Sequence, residues 1–370
     1  MQKYTISSNQ QIFLIFMFVL GSSLVFGVNT TAQNDGWISI ILATLFILPI
    51  VCIYARILKL FPEKSIFDIS QILFGKIFGK IIIALITWYA IHLSAVVVRN
   101  FSEYIEIIAM PEIPPLVVMI CLLLVTMYLA KSNIRTLGEW GIIVGTIVIM
   151  IVALTIVLEI KDMKYTNILP IMANGFKPIL VSSFQIFSFP FAETILFLAL
   201  GGSIKQQKDS PYKIFMIAIL LSSVIMLGVF LRNLFVLGAP MCKTSYFPSF
   251  TASRLIKVGD FLSRIEGSIS VNLILAGITK ITICLICASK GIAKLFDVEN
   301  YQNLVLCTSL LVLALCVNLY KNVMQMFDFI KYYPYYTFIF QVIIPITIWL
   351  VAEYHNKKNK KIPAQTNSEN

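Results

Sequence analysis

Ten stretches of roughly 17 to 26 mostly apolar residues follow one another through this chain, and no other feature limits its fold as severely. They run Gln10–Thr31, Trp37–Ala55, Ile77–Val98, Pro114–Ala130, Glu139–Leu158, Ile179–Ile204, Ile214–Phe235, Gly267–Ser289, Asn303–Tyr320 and Tyr335–Ala352. In hydrocarbon a backbone must satisfy its own N–H and C=O groups, so stretches of this length read as membrane-crossing helices. The chain has 370 residues, 58% hydrophobic and 13% charged, which is outside the range of a soluble domain. The expectation is an all-α membrane protein of ten transmembrane helices. A single bundle takes residues 1–355, with an outer loop at about 236–266, and a basic cytoplasmic tail takes 356–370. The net charge of +11 sits mainly in short loops. Lys and Arg are more numerous in the segments that become internal when both termini are cytoplasmic, so the charge reads as topology rather than nucleic-acid binding.

The sixth stretch carries the clearest local interruption. Phe187 to Glu193 reads FSFPFAE, a proline and a carboxylate amid apolar neighbours. Proline removes one helix hydrogen bond and clashes with the preceding turn. Freed backbone groups persist in a membrane only where protein or a water-filled cavity satisfies them, and an intramembrane carboxylate marks a functional site by default. The first stretch carries Gly21-Ser22-Ser23 at its centre and Gly27 one turn later. If ten helices form two five-helix halves, stretches one and six correspond, and interruptions at matching places point to a binding site near the midplane. Close helix packing through small residues is the other reading of GSSxxxG.

Three further positions carry chemistry. Glu193 is placed to bind an ammonium, take up a proton or pair with Lys280, a purely structural ion pair being the plainer alternative. Lys280 lies deep in stretch eight, on a helix face shared with Asn272, Ala276, Thr279 and Ile283. A lysine at that depth must pair or face a cavity. Tyr89 in stretch three offers a hydroxyl, or packs as an aromatic; His92 reads as a hydrogen-bonded core histidine. Six of the seven cysteines lie within or at the ends of stretches, and Cys284 and Cys287 read as buried packing residues rather than metal ligands. Two histidines make no HExxH, and neither a GxSxG nor a phosphate-binding loop occurs, so an enzymatic reading has no support. No cofactor is expected.

FPEKSIFDISQILFGKIFGK, between stretches two and three, has the spacing of an amphipathic helix at the membrane interface. Val236 to Glu266 forms the long outer loop, opening on Gly238-Ala239-Pro240 and ending in a second amphipathic pattern, as a lid or partner surface would.

In the order and spacing of QQIFLIFMFVLGSS, FPEKSIFDISQILFGKIFGK, FPFAE, VGDFLSRIE and the lysine of stretch eight, the chain resembles the spore germination permease family. These are the B subunits of germinant receptors, within the amino acid–polyamine–organocation superfamily. The resemblance implies a leucine-transporter-type fold, a 5+5 inverted repeat with helices one and six discontinuous. It implies a pocket formed by Gly21, Ser22, Ser23, Tyr89, Phe189, Phe191, Glu193, Asn272 and Lys280. Ala192 stands where the family more often has glycine, and stretch one lacks the proline common after its break.

On that resemblance, amides of Gly21–Ser23 receive a germinant's carboxylate, Phe189 and Phe191 set its size, and Lys280 sits where sodium lies in sodium-coupled relatives. The implied role is a germinant-receptor B subunit that binds a small nutrient, an amino acid by pocket chemistry. It would trigger germination through an A-type membrane subunit and a C-type lipoprotein in the spore inner membrane. The alternatives are a proton-coupled or facilitative amino acid permease, and a scaffold that binds nothing itself.

Overall fold

The computed structural model describes residues 6–26, 31–109, 111–203, 210–255 and 266–360. It is all-helical. The described residues contain eight helices long and apolar enough to cross a membrane, and two shorter apolar ones at Ser8–Gly21 and Pro115–Lys131. In chain order the α-helices are α1 Ser8–Phe26, α2 Gly36–Leu60, α3 Ile66–Tyr104, α4 Pro115–Lys131, α5 Ile134–Glu159, α6 Phe176–Ile186, α7 Pro211–Thr244, α8 Pro248–Ser253, α9 Glu266–Leu295, α10 Val305–Leu319, α11 Val323–Phe338 and α12 Ile344–Lys360.

α9 forms the centre of the bundle, packing against α1, α3, α4, α5 and α10. Its small residues allow that approach. Gly277 and Gly291 face Phe101 and Thr87 of α3 so closely that any Cβ would collide with them. Cys284 and Cys287 are buried and unbridged there. In lipid there is little hydrophobic drive between helices, so contact through small side chains is what holds such a bundle together.

α3 is two helices joined at Gly75, whose φ of 73° turns the chain. The first, opened by a capping box between Ser65 and Asp68, is the amphipathic element expected between stretches two and three. It is shorter than its sequence pattern, because Lys76 and Lys80 already belong to the spanning part. Asp68 meets Lys294 at 2.7 Å, so this element is tied to the end of α9, and Lys80 of the spanning part meets Asp297, just beyond α9, at 3.2 Å.

Two expectations need correction. The first stretch is not interrupted at Gly21-Ser22-Ser23: α1 is helical from Ser8 to Phe26. Ser23 donates to the Val19 carbonyl within its own helix, and Gly21 lies against Lys280, so these small residues serve packing. Within the segment 236–266, the chain leaves α7's axis at Gly238 (φ 74°), a further helical stretch runs to Thr244, and α8 follows at Pro248–Ser253. The last crossing begins at Val323, a dozen residues before Tyr335, and runs to Lys360 through a π turn at Ile339–Ile343. Most of VGDFLSRIE and the end of the basic tail lie outside the described residues.

At the α8 end, a buried network joins four elements. Arg232 of α7 lies 3.3 Å from Glu159 of α5, both 1% exposed. It also donates to Thr155 and to the Asn233 side chain. Asn233 donates to Ser249 of α8 at 3.1 Å, and Ser249 donates to the Leu24 carbonyl in the last turn of α1 at 2.6 Å.

Candidate functional site

The sixth stretch is broken where the proline predicts. α6 ends at Ile186, Phe187–Phe191 form a π turn, and Ala192–Ser203 continue as a 3-10 helix. Phe189 leaves helical geometry altogether, with φ −128° and ψ 111°. The freed carbonyls find partners. Gln341 Nε2 donates to the Ser188 carbonyl at 2.9 Å, and Thr194 donates to that of Phe191 at 2.7 Å. The Tyr54 hydroxyl lies 3.3 Å from the Ala192 carbonyl and 2.5 Å from that of Gln341. Gln341 is itself in the π turn of the last crossing, so two irregular segments satisfy each other across the bundle, as hydrocarbon demands. The Gln341 amide also donates to the Tyr89 hydroxyl at 2.9 Å, and the Ser188 hydroxyl donates to its oxygen at 2.9 Å.

Directly after the break, Glu193 pairs with Lys280 of α9 at 2.5 Å, and both side chains are fully buried. Tyr333 of α11 donates to the other Glu193 oxygen at 2.5 Å. The lysine ammonium lies 4.8 Å from the ring centre of Phe189 and 5.3 Å from that of Phe18. A carboxylate and two aromatic faces are groups that recognise an ammonium, and here the chain's own lysine occupies them. Two buried charges this close are worth keeping only as a pair, since each alone would cost several kcal/mol.

Among the predicted residues, Glu193, Lys280, Phe189 and Gly21 meet at this point. Tyr89 joins one shell out, through Gln341 and a stacked contact with Phe340 at 5.2 Å. Phe191 is buried in the apolar core. Asn272 is buried on α9 about two turns from Lys280, its carboxamide oxygen without a hydrogen-bond partner. Ser23 is turned into its own helix, and the side chain of Ser22 lies outside the described residues. His92 is a core histidine among Trp88, Phe329 and Tyr336, but its Nδ1 is not hydrogen-bonded. Sequence reasoning missed Tyr333, Gln341, Ser188 and Tyr54. A glutamine alone within FIFQVIIP is the signal that points to one of them.

Two cavities lead from the α8 end toward the pair. The outer one, about 410 Å³, lies between α7, α8 and α11 and includes Ser23, Asn233, Cys242 and Lys331 in its walls. The inner one, about 40 Å³, reaches Phe189 and Tyr333, whose rings meet edge to face at 6.0 Å. The geometry is a closed polar centre behind an aromatic barrier.

A family model described as "Spore germination protein" matches residues 5–326. Spore germination protein KB of Bacillus subtilis (strain 168) is 27% identical over 366 residues, covering 98% of each chain. The putative spore germination protein YfkT of the same organism is 23% identical and covers 87% of this chain and 88% of its own. Among solved structures, MhsT in complex with L-phenylalanine superposes with a TM-score of 0.63 at 11% identity, over 95% of this chain and 89% of that one. A mutant of the Eremococcus coleocola manganese transporter gives 0.64 at 11% identity, over 94% and 83%. At such identities the likeness is one of fold.

Proposed function

The chain belongs to the spore germination protein family, and from that premise we propose that it is the B-type subunit of a germinant receptor that senses a small zwitterion, an amino acid. We infer ten crossings in a 5+5 arrangement, the two shorter apolar helices counting as crossings. Both termini would be cytoplasmic, and the membrane would be the spore inner membrane. An A-type membrane subunit and a C-type lipoprotein would read its state. Names of relatives such as spore germination proteins KB, A2 and B2 support assembly into a multi-subunit receptor.

One observation carries the ligand class: the Glu193–Lys280 pair, fully buried beside the break. A singly charged ligand that displaced one partner would leave the other charge buried and alone, at a cost of several kcal/mol. A zwitterion inserted between them does not. Its ammonium takes Glu193 and its carboxylate takes Lys280, so each charge keeps a partner and the net charge is unchanged. This replaces the expectation that amides of Gly21–Ser23 receive the carboxylate, because those amides lie within a continuous helix. It also keeps the lysine as the resident cation, which makes binding independent of sodium. Opening the pair separates α9 from the segment after the break, and the ligand-bound arrangement is then the one favoured.

The test is thermal-shift titration of the purified full chain with amino acids, in parallel with nucleosides and sugars, in sodium and in choline buffers. Stabilisation by one or more amino acids in both buffers is expected. Stabilisation only by uncharged ligands, or only in sodium, defeats the reading. The transporter-like fold and the cavities on one side of the pair favour one second reading, an amino acid permease. Accumulation of labelled amino acid in proteoliposomes holding this chain alone would establish it.

A further inference from the structure

Residues 160–175 join α5 to α6 at the α8 end of the bundle, and their polarity is the reverse of a loop made for water. The polar groups are turned inward. The Asn167 side chain donates to the Leu234 and Phe235 carbonyls of α7, and Phe235 also accepts from the Lys164 amide. Asn34 donates to the Asn167 and Leu169 carbonyls at 3.1 and 2.8 Å. The buried Asp35 carboxylate accepts from the Met172 amide at 2.9 Å. The apolar side chains are left outside: Ile160, Tyr165, Leu169, Ile171, Met172 and Phe176 are each 46% to 60% exposed.

Single exposed apolar residues are ordinary, but a run of them in one segment marks a surface that something covers. We propose that the bilayer covers it: this segment is an interfacial anchor lying in the headgroup layer, with Lys161, Lys164 and Lys177 at the lipid phosphates.

Continuity favours lipid over a protein as the occupant. Ile160 extends the exposed row of Leu154 and Val157 on α5, and Phe176 begins the row that Leu180 continues on α6. Depth agrees. α6 runs from Phe176 to Ile186, so Phe176 stands about 15 Å from the break, half of a hydrocarbon core roughly 30 Å thick. With the break at mid-depth, the loop lies at the boundary between hydrocarbon and water. Charge agrees as well, since Lys161, Lys164 and Lys177 are all exposed and Asp162 is the only acid among residues 160–177. Lysines interleaved with apolar and aromatic side chains are the pattern of segments that lie on anionic lipid. Through Asn34, Asp35 and Asn167 the same loop grips the start of α2 and the side of α7, and it leads directly into α6. The lipid surface is thereby joined to the helix whose other end is the break.

The test uses the full chain carrying Leu169→Trp, in nanodiscs of phosphatidylcholine with and without phosphatidylglycerol. The emission of wild type, which has four tryptophans, is subtracted. Lys358→Trp, at an exposed site in the last turns of α12, is the water-facing reference. Lipids brominated on their chains are expected to quench the signal at position 169 and not that at 358. Acrylamide should reach position 169 at least about threefold less readily. Phosphatidylglycerol should increase the lipid quenching, and replacing Lys161, Lys164 and Lys177 together with Gln should abolish that increase. Should Leu169→Trp fail to accumulate, Ile171→Trp is read in the same way. Acrylamide access equal to position 358, with no quenching by brominated lipid, overturns the proposal and leaves this face to a protein partner. Lipid quenching indifferent to phosphatidylglycerol overturns the assignment of the three lysines.

Discussion

A Cβ placed on Gly21 would lie 2.9 Å from both Cβ and Cδ of Lys280 and 3.2 Å from the Ala276 carbonyl oxygen. The glycine in α1 is thus the surface against which the lysine stem is laid, and the stem's course brings its ammonium to Glu193. Substitution with even the smallest side chain must move α1 or the lysine. Gly21→Ala is expected to destabilise the protein by about 1–3 kcal/mol, as overpacking of a filled core does, and to abolish ligand-induced stabilisation. Gly267, in the first turn of α9, has nothing within 4 Å of its Cβ position. Gly267→Ala should leave both properties unchanged, and the comparison of melting curves separates a local clash from a general intolerance of glycine replacement.

The pair itself predicts a non-additive response. Glu193→Gln or Lys280→Met alone strands a buried charge, at about 3–5 kcal/mol, and each protein should accumulate poorly in the membrane. The double variant removes both charges together. It is expected to be more stable than either single variant, with a coupling of about 1–3 kcal/mol, and still to show no response to amino acids. Membrane levels and melting temperatures of the four proteins measure the cycle. Additive losses would mean that the two groups do not depend on each other.

Much of this arrangement was legible because membrane helices are written in runs of apolar residues, and because a proline or a charge within such a run has few structural excuses. The break after Ile186, Glu193 and Lys280 were found that way. Gly21-Ser22-Ser23 misled, since glycine and serine suit both an unwound segment and a tight helix contact, and only the neighbour decides; here the neighbour is the Lys280 stem. The start of the last crossing was hidden because MQMFDFIKYYPYY mixes charge, tyrosine and a proline, and hydropathy alone reads it as a loop. That hid Tyr333, which completes the carboxylate's partners. Arg232 stood within stretch seven and Glu159 just beyond stretch five; an arginine at that depth asks for a partner, but the two are 73 positions apart and only the folded chain pairs them.

Gln341, though uncharged, should also be sensitive to substitution. Its amide donates to the Ser188 carbonyl and to the Tyr89 hydroxyl, and its oxygen lies 2.9 Å from the Ser188 hydroxyl. Gln341→Leu preserves bulk but orphans a carbonyl freed by the break. The expected cost is about 1–3 kcal/mol, read as a lower melting temperature. Gln341→Glu keeps the acceptor, loses the donor, and should be no better.

The network at the α8 end predicts a change in accessibility rather than in ligand chemistry. Ser249 donates to the Leu24 carbonyl near the end of the described part of α1, and accepts from Asn233, which in turn is held by Arg232. Through this one hydroxyl the short helix is fastened over the end of α1. Ser249→Ala leaves the carbonyl without its donor, so opening of α8 should become easier by about 1–3 kcal/mol, or roughly five- to hundredfold in population. Cys242 reports that opening. It is half-buried, lines the outer cavity beside α8, and its thiol is held at the Asn233 carbonyl. Maleimide labelling of Cys242, with Cys242→Ser as the blank, should accelerate by that factor in Ser249→Ala. Arg232→Met should accelerate it further, because Glu159 is then left buried without its counter-charge. Labelling rates equal to wild type in both variants would show that α8 is held by apolar packing alone, and that the network contributes nothing to closing this end of the bundle.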